Sequence, residues 1–238
     1  MGSAARHMEI EQEERPTQAA GKRALIDAAL RLAASRRSLS NLGLRELARE
    51  AGLNPNTFYR HFSDVDDLGL AIIRDIATQL RQPLRDLRRE AAERALPGAS
   101  AASVPFGLDL ERGQRVTRET VRLFFDFVER NPQAFIIGVR ELHGPSPVLR
   151  EALARVMDEF GEDMAEDIRQ FHLLPDVEVG ELDQLSRLIS RQLFQQSLDY
   201  LERPPELREE VCALAQRQIL LLFTGVAVLQ TLGMLDRL

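Results

Sequence analysis

Along nearly the whole chain apolar residues recur at spacings of three and four, while the period-two alternation of a half-buried strand is missing. That pattern predicts an all-α fold. Proline and glycine cut it into segments, giving helices over 17–37, 44–51, 55–62, 64–96, 114–130, 133–142, 148–171, 181–201 and 206–235. The stretch 97–108, rich in Pro, Gly, Ser and Ala, reads as a mobile loop, and 175–180 as a second loop. Pro83 predicts a kink in the long helix over 64–96. Ser63-Asp64-Val65-Asp66 resembles a capping box at its start, with aspartate replacing the usual glutamate.

Two short helices around a glycine turn, 44–51 and 55–62, have the form of a helix-turn-helix. Leu44, Leu47, Ala48, Leu53, Phe58 and Phe62 supply a small shared core. Asn54 is a favourable N-cap, and Pro55 occupies the first helical position, where its missing N–H costs nothing. Asn56, Thr57, Tyr59, Arg60 and His61 are left for the outer side. Asn56 and Thr57, short and near the helix start, suit base edges in a major groove. Tyr59 and His61 can hydrogen-bond phosphate, which positions a helix without reading sequence. Arg45 can reach a phosphate from the preceding helix. An ordinary three-helix surface with unused polar residues fits the pattern as well.

Charge bears on that choice. The formal net charge is −6, yet residues 15–62 hold nine basic residues against three acidic ones, about +6, which leaves about −12 on the rest. A basic head on an acidic body suits a protein that touches phosphate at one end only.

The phrases Leu44-Arg45-Glu46-Leu47-Ala48-Arg49-Glu50-Ala51-Gly52 and Thr57-Phe58-Tyr59-Arg60-His61-Phe62 resemble the TetR family of bacterial one-component repressors. The longer phrase from Phe58 through Ser63-Asp64-Val65-Asp66-Asp67-Leu68 to Gly69 resembles the branch containing FabR and DesT, and the DesT side of it most. Weaker similarity continues through Phe127–Phe135 and Arg140-Glu141. The resemblance implies DNA binding through Arg45, Asn54, Asn56, Thr57, Tyr59, Arg60 and His61, an all-helical body that binds a ligand and dimerises, and control of unsaturated fatty-acid synthesis. One departure stands out. Many members carry a phosphate-binding lysine at the position of Val65, and Lys22, Arg23 and Arg45 are the candidates to replace that contact here.

On this reading residues 1–15 form a disordered tail, with 1–7 an expression remnant ahead of a start at Met8. Residues 16–63 form the DNA-binding domain and 64–238 the effector-binding and dimerisation domain. In the body, Phe124, Phe125, Phe127 and Val128 crowd one helix, and Phe135, Ile136 and Val139 the next. Met157, Phe160 and Met164 line a third. Large phenylalanines and flexible methionines can surround an elongated apolar ligand, though residue by residue plain core packing is the simpler reading. The branch resemblance implies a long-chain acyl-CoA, saturated or unsaturated, with Arg140, Arg155, Arg187 and Arg191 as candidates for its phosphates. Broad apolar stripes on the last two helices predict a homodimer through them, a palindromic operator and recognition helices roughly 34–36 Å apart.

Other classes find less support. No nucleophile–base pair, carboxylate pair or phosphate loop suggests an enzyme, and no cofactor is expected. Four scattered histidines and the single Cys212 predict neither a zinc site nor an intrachain disulfide. The reduced thiol, with no run of 18 apolar residues and no leader, leads to the expectation of a cytoplasmic protein without a membrane span. A repressor of drug efflux with another apolar ligand, or a helical acyl-chain carrier without DNA binding, remain the alternatives.

Overall fold

The computed structural model describes residues 3–35, 38–94, 108–174 and 177–235. Among these there is no strand, as the three-and-four periodicity predicts. Helix α1 spans Ser3–Ala34, α2 Leu44–Glu50, α3 Pro55–Phe58, α4 Val65–Arg94 and α5 Leu110–Arg130. Then come α6 Pro132–Glu141, α7 Pro147–Gln170, α8 Val179–Glu202 and α9 Arg208–Thr231, with single 3-10 turns at Leu39–Asn41 and Pro205–Leu207.

Several boundaries differ from the sequence reading, each for a local reason. Helix α1 starts at Ser3, across the stretch read as a tail, where Glu, Gln, Ala and Arg favour a helix. Arg36 and Arg37, read as its last turn, lie outside the described residues, as does most of the loop expected over 97–108. Helix α3 has only four helical residues; beyond it the chain tightens, with Arg60 N–H donating to the Thr57 carbonyl (3.2 Å) and His61 N–H to the Phe58 carbonyl (2.9 Å). The capping box sits one residue later than expected. Asp64 accepts from the Asp67 N–H (2.8 Å) and Asp67 accepts from the Ser63 N–H (3.0 Å), so Asp64 is the cap and Val65 opens α4. Asp66 and Asp67 then face the positive end of the α4 dipole. Pro83 lies on the solvent side of α4, which runs on through it. Helix α5 begins at Leu110 because Asp109 caps it, accepting from the Arg112 N–H at 3.0 Å.

Two glycines set the geometry of the head. Gly52, at φ +67, ends α2: the Leu53 N–H donates to the Ala48 carbonyl (2.8 Å) and the Gly52 N–H to that of Arg49 (3.1 Å). This is the tight turn between the two helices of the helix-turn-helix. Gly69 lies where α4 crosses α7, and a Cβ there would come within 2.7 Å of Leu149 Cδ2.

The head packs around Leu25, Ala29, Leu39, Leu47, Phe58 and Phe62, all buried. Leu68 and Ile72 of α4, Ile137 of α6 and Leu149 of α7 complete the same cluster, so the head's core runs past residue 63 into the body. A second core holds the helices of the body, with Phe125 stacked on Tyr200 at 4.7 Å.

Candidate DNA-binding face and ligand cavity

Helix α3 is anchored by Phe58, fully buried, and by Asn54, whose side chain accepts from the Asn56 N–H at 2.9 Å. The carbonyl oxygen of Asn54 is therefore engaged as the N-cap. Asn56 and Arg60 are exposed, Thr57 is half-buried and Tyr59 is 65% exposed, its ring edge-on to Phe58. Lys22 is exposed on α1, with Nζ 5.7 Å from the centre of the Phe62 ring. Burial above all, then the neighbouring Lys22 and Arg60, hold the His61 imidazole below its ordinary pKa. Its Nε2 lies against α1, where a Cβ on Gly21 would be 2.8 Å away.

Charges around this face divide into tied and untied ones. Arg23 pairs with Asp27 (3.2 Å) and Asp75 (3.5 Å), and Arg31 with Glu50 (2.9 Å). Of the three residues considered for the phosphate contact that Val65 cannot make, Arg23 is thus already engaged. Lys22 and Arg45 are exposed, and no ion pair holds them among the described residues. Arg49 and Arg60 are exposed in the same way.

The body encloses an apolar cavity of about 1020 Å³, part of it open to solvent, between α4, α5, α6, α7 and α8. Phe124, Phe135, Met157, Phe160 and Met164, singled out from the sequence, all line it. Phe125, Phe127, Val128, Ile136 and Val139 do not. Phe125 faces Tyr200, Phe127 meets the edge of Phe135 at 6.1 Å, and Val128 and Val139 are buried in packing. On an α-helix only positions three or four apart share a face, so adjacent aromatics diverge.

The four arginines read as phosphate holders lie elsewhere. Arg155 pairs with Glu151 (3.1 Å), Arg187 with Glu162 (2.9 Å) and Arg191 with Asp158 (2.8 Å), all on the exposed side of α7 and α8. Arg140 donates to the carbonyls of Ala33 (3.4 Å) and Ala34 (3.2 Å), tying down the C-terminal end of α1.

Three groups of residues at the cavity have a weaker signature in the sequence. The first is the inward stripe of α4, with Ile72, Ile76 and Leu80 on the wall. The second is Glu141, only 2% exposed, whose Oε1 accepts from Ser38 Oγ (2.8 Å) and from the Leu39 N–H (2.7 Å). Leu39 and Glu141 both line the cavity, so it reaches the turn that leads into the helix-turn-helix. The third is a ladder of ions between α4 and α7. Arg81, Arg85 and Arg88 meet Glu159, Asp163, Glu166 and Asp167, with Arg85 to Asp163 at 2.9 Å and Arg88 Nε to Asp167 at 2.7 Å. Spacings of three and four on both helices could have announced this ladder.

On the outside of the body, Leu188 of α8 and Leu214, Leu221 and Leu222 of α9 are exposed. The 27-residue stretch Pro205–Thr231 is, by length and composition alone, long and apolar enough to cross a membrane (mean hydropathy 1.7), with 28% of its apolar window buried in the protomer. Such an index is weak evidence, since a helix apolar all round is also what a subunit interface presents. Among the described residues no group of histidine, cysteine or carboxylate side chains could hold a metal ion. Burial above all, then Glu209 and Asp126, push the Cys212 thiol up to about 11.

Residues 25–72 match the family described as bacterial regulatory proteins, tetR family. An uncharacterized HTH-type transcriptional regulator of Haemophilus influenzae is 39% identical over 151 residues, which is 63% of this chain and 64% of that protein's length. Among solved structures, the fatty acid degradation regulator FadR of Bacillus halodurans aligns with a TM-score of 0.58 at 14% identity, covering 87% of this chain and 96% of that one. Thermus thermophilus FadR, a TetR-family repressor in complex with lauroyl-CoA, aligns with a TM-score of 0.55 at 19% identity, covering 86% and 94%. At these identities the structural likeness establishes the fold: a TetR-like arrangement of an N-terminal helix-turn-helix and a helical body.

Proposed function

We propose that this chain, whose residues 25–72 match the tetR family and whose helical body is TetR-like in fold, is a transcriptional repressor that binds a palindromic operator as a homodimer and senses long-chain acyl-CoA. The observation that carries this reading is the apolar cavity of about 1020 Å³ that ends against Leu39 and Glu141, at the base of the helix-turn-helix. Its lining is almost wholly apolar, and each methylene buried there contributes about 0.8 kcal/mol. That the Thermus thermophilus neighbour is in complex with lauroyl-CoA supports an acyl chain as the occupant. The phrase from Phe58 to Gly69 supports the FabR/DesT branch, and hence genes of unsaturated fatty-acid synthesis in the cytoplasm.

DNA contacts follow from the exposed face. Asn56 and Thr57 read base edges, while Lys22, Arg45, Tyr59, Arg60 and His61 grip the backbone. Occupancy of the cavity shifts the head between two arrangements with different operator affinity. Burial alone cannot separate saturated from unsaturated chains of equal length; only the shape of the wall can. A gel-shift titration of the operator with palmitoyl-CoA and oleoyl-CoA tests this: the two should move operator affinity in opposite directions. If both leave it unchanged, the acyl-CoA reading fails.

A further inference from the structure

Beside the cavity lies a second chamber of about 730 Å³, part of it open to solvent, lined by the start of α5, the end of α7 and the middle of α9. Arg88, Thr120, Met164 and Leu193 line both chambers, so they form the wall the two share. Two of these four are polar and deeply buried: Arg88 is 4% exposed and Thr120 9%. Each leaves hydrogen-bonding capacity unused. Thr120 Oγ1 has no partner among the described residues. Arg88 Nε and Nη2 both approach Asp167 Oδ2 (2.7 and 2.6 Å), and Nη2 has no hydrogen-bond partner beyond that ion pair among the described residues. Unused donors inside an apolar cavity cost free energy unless a ligand satisfies them.

The charge around them defines what that ligand group is. Asp163 and Asp167 are buried beside Arg88, and three arginines of α4 face four carboxylates of α7. A carboxylate placed at Arg88 would add a further negative charge where carboxylates already outnumber arginines, at a desolvation cost. A neutral carbonyl only accepts hydrogen bonds and adds no charge. The first chamber has two further polar side chains, Glu141, whose second oxygen lies at the head end beside Gly144, and the buried Ser190 of α8, which does not line the second chamber.

We infer that Arg88 and Thr120 form a carbonyl-binding subsite, which selects an acyl thioester over a free fatty acid and fixes where along the tunnel its carbonyl sits. The inference rests on the acyl-CoA reading and deepens it. The hydrocarbon chain then lies in the first chamber, directed at Leu39 and Glu141. The remainder of the ligand passes through the second chamber, whose wall includes Asp109, Thr117 and Thr224.

The test compares palmitoyl-CoA with S-hexadecyl-CoA, a thioether of the same chain length that lacks the carbonyl, by titration calorimetry on the full chain. Wild type should bind palmitoyl-CoA about fivefold to tenfold more tightly, the worth of one good hydrogen bond. Thr120→Val, which removes a hydroxyl without a partner and so should melt no lower than wild type, should reduce that ratio to below about twofold. Thr120→Ser should restore it. Equal affinity of wild type for both compounds, or the same ratio in Thr120→Val, overturns the subsite while leaving the acyl-CoA reading in place. Failure of wild type to bind either compound overturns both.

Discussion

At the scale of single residues, the proposed DNA-binding face separates into side chains that hold the helix and side chains that project from it. Phe58 and Asn54 belong to the first group: one is fully buried, the other caps α3. Tyr59, 65% exposed and braced on Phe58, belongs to the second. On the proposed reading its hydroxyl contacts phosphate, whereas Thr57, nearer the helix start, contacts bases. Tyr59→Phe is therefore expected to weaken binding to all DNA sequences by a similar factor, about fivefold for one lost hydrogen bond. Thr57→Ala should instead change the ranking of operator variants. Fluorescence anisotropy against a panel of single-base operator mutants checks both, and an unchanged ranking for Thr57→Ala would show that specificity lies elsewhere. Position 65 belongs here too. With valine opening α4 and Arg23 tied to Asp27 and Asp75, the exposed Lys22 and Arg45 remain as candidates for the missing phosphate contact.

At the scale of elements, α6 is the joint between body and head. Its last two residues hold both sides of the connection from α1 to α2. Arg140 donates to the final carbonyls of α1, and Glu141 receives Ser38 and Leu39 at the next turn. Leu39 is 2% exposed, so its N–H has no recourse to water if Glu141 is removed. Glu141→Ala is expected to lower stability by about 1–3 kcal/mol, the cost of an unsatisfied buried group. Urea unfolding measures the loss, and hydrogen exchange should localise it to α2 and the turn before it. A loss spread evenly over the body helices would mean that Glu141 acts in the body core instead. The α4–α7 ion ladder has the complementary task. It fixes the helix that enters the head against the one that walls the cavity, with two of its carboxylates buried among arginines.

At the scale of the whole molecule, the exposed leucines of α8 and α9 ask for a partner. Leu221 alone is 63% exposed on a helix with apolar residues on nearly every side. A second copy of the chain packing α8 and α9 against the same pair would cover them in a four-helix contact and bring two heads to one face. Leu221→Asp is expected to convert a dimeric mass to a monomeric one in sedimentation at micromolar concentration. Operator affinity should fall with it, because each half-site then binds without the other. A monomeric wild type would refute the proposed assembly.

The sequence by itself determined the all-α class, the helix-turn-helix and the basic character of the head. Each is written in local spacing: a three-and-four periodicity, Asn54-Pro55 at a helix start, glycine at the α2 turn, and nine basic residues within one segment. It also located five of the cavity's wall residues, because large apolar side chains on one helix face must pack inward somewhere. It could not separate Phe124 from Phe125, or Met164 from Val128, since which inward face meets a void and which meets another helix depends on the crossing of α5 over α8. The Arg155–Glu151 pair, four apart on one helix, was within its reach, but it could not show that Arg140 holds a helix end, or that Arg187 and Arg191 are taken up by acids on α7. Those partners are set by how helices far apart in the chain come to lie side by side. Only the tertiary structure decided that Arg88 and Thr120, thirty-two positions apart, share one wall between two chambers.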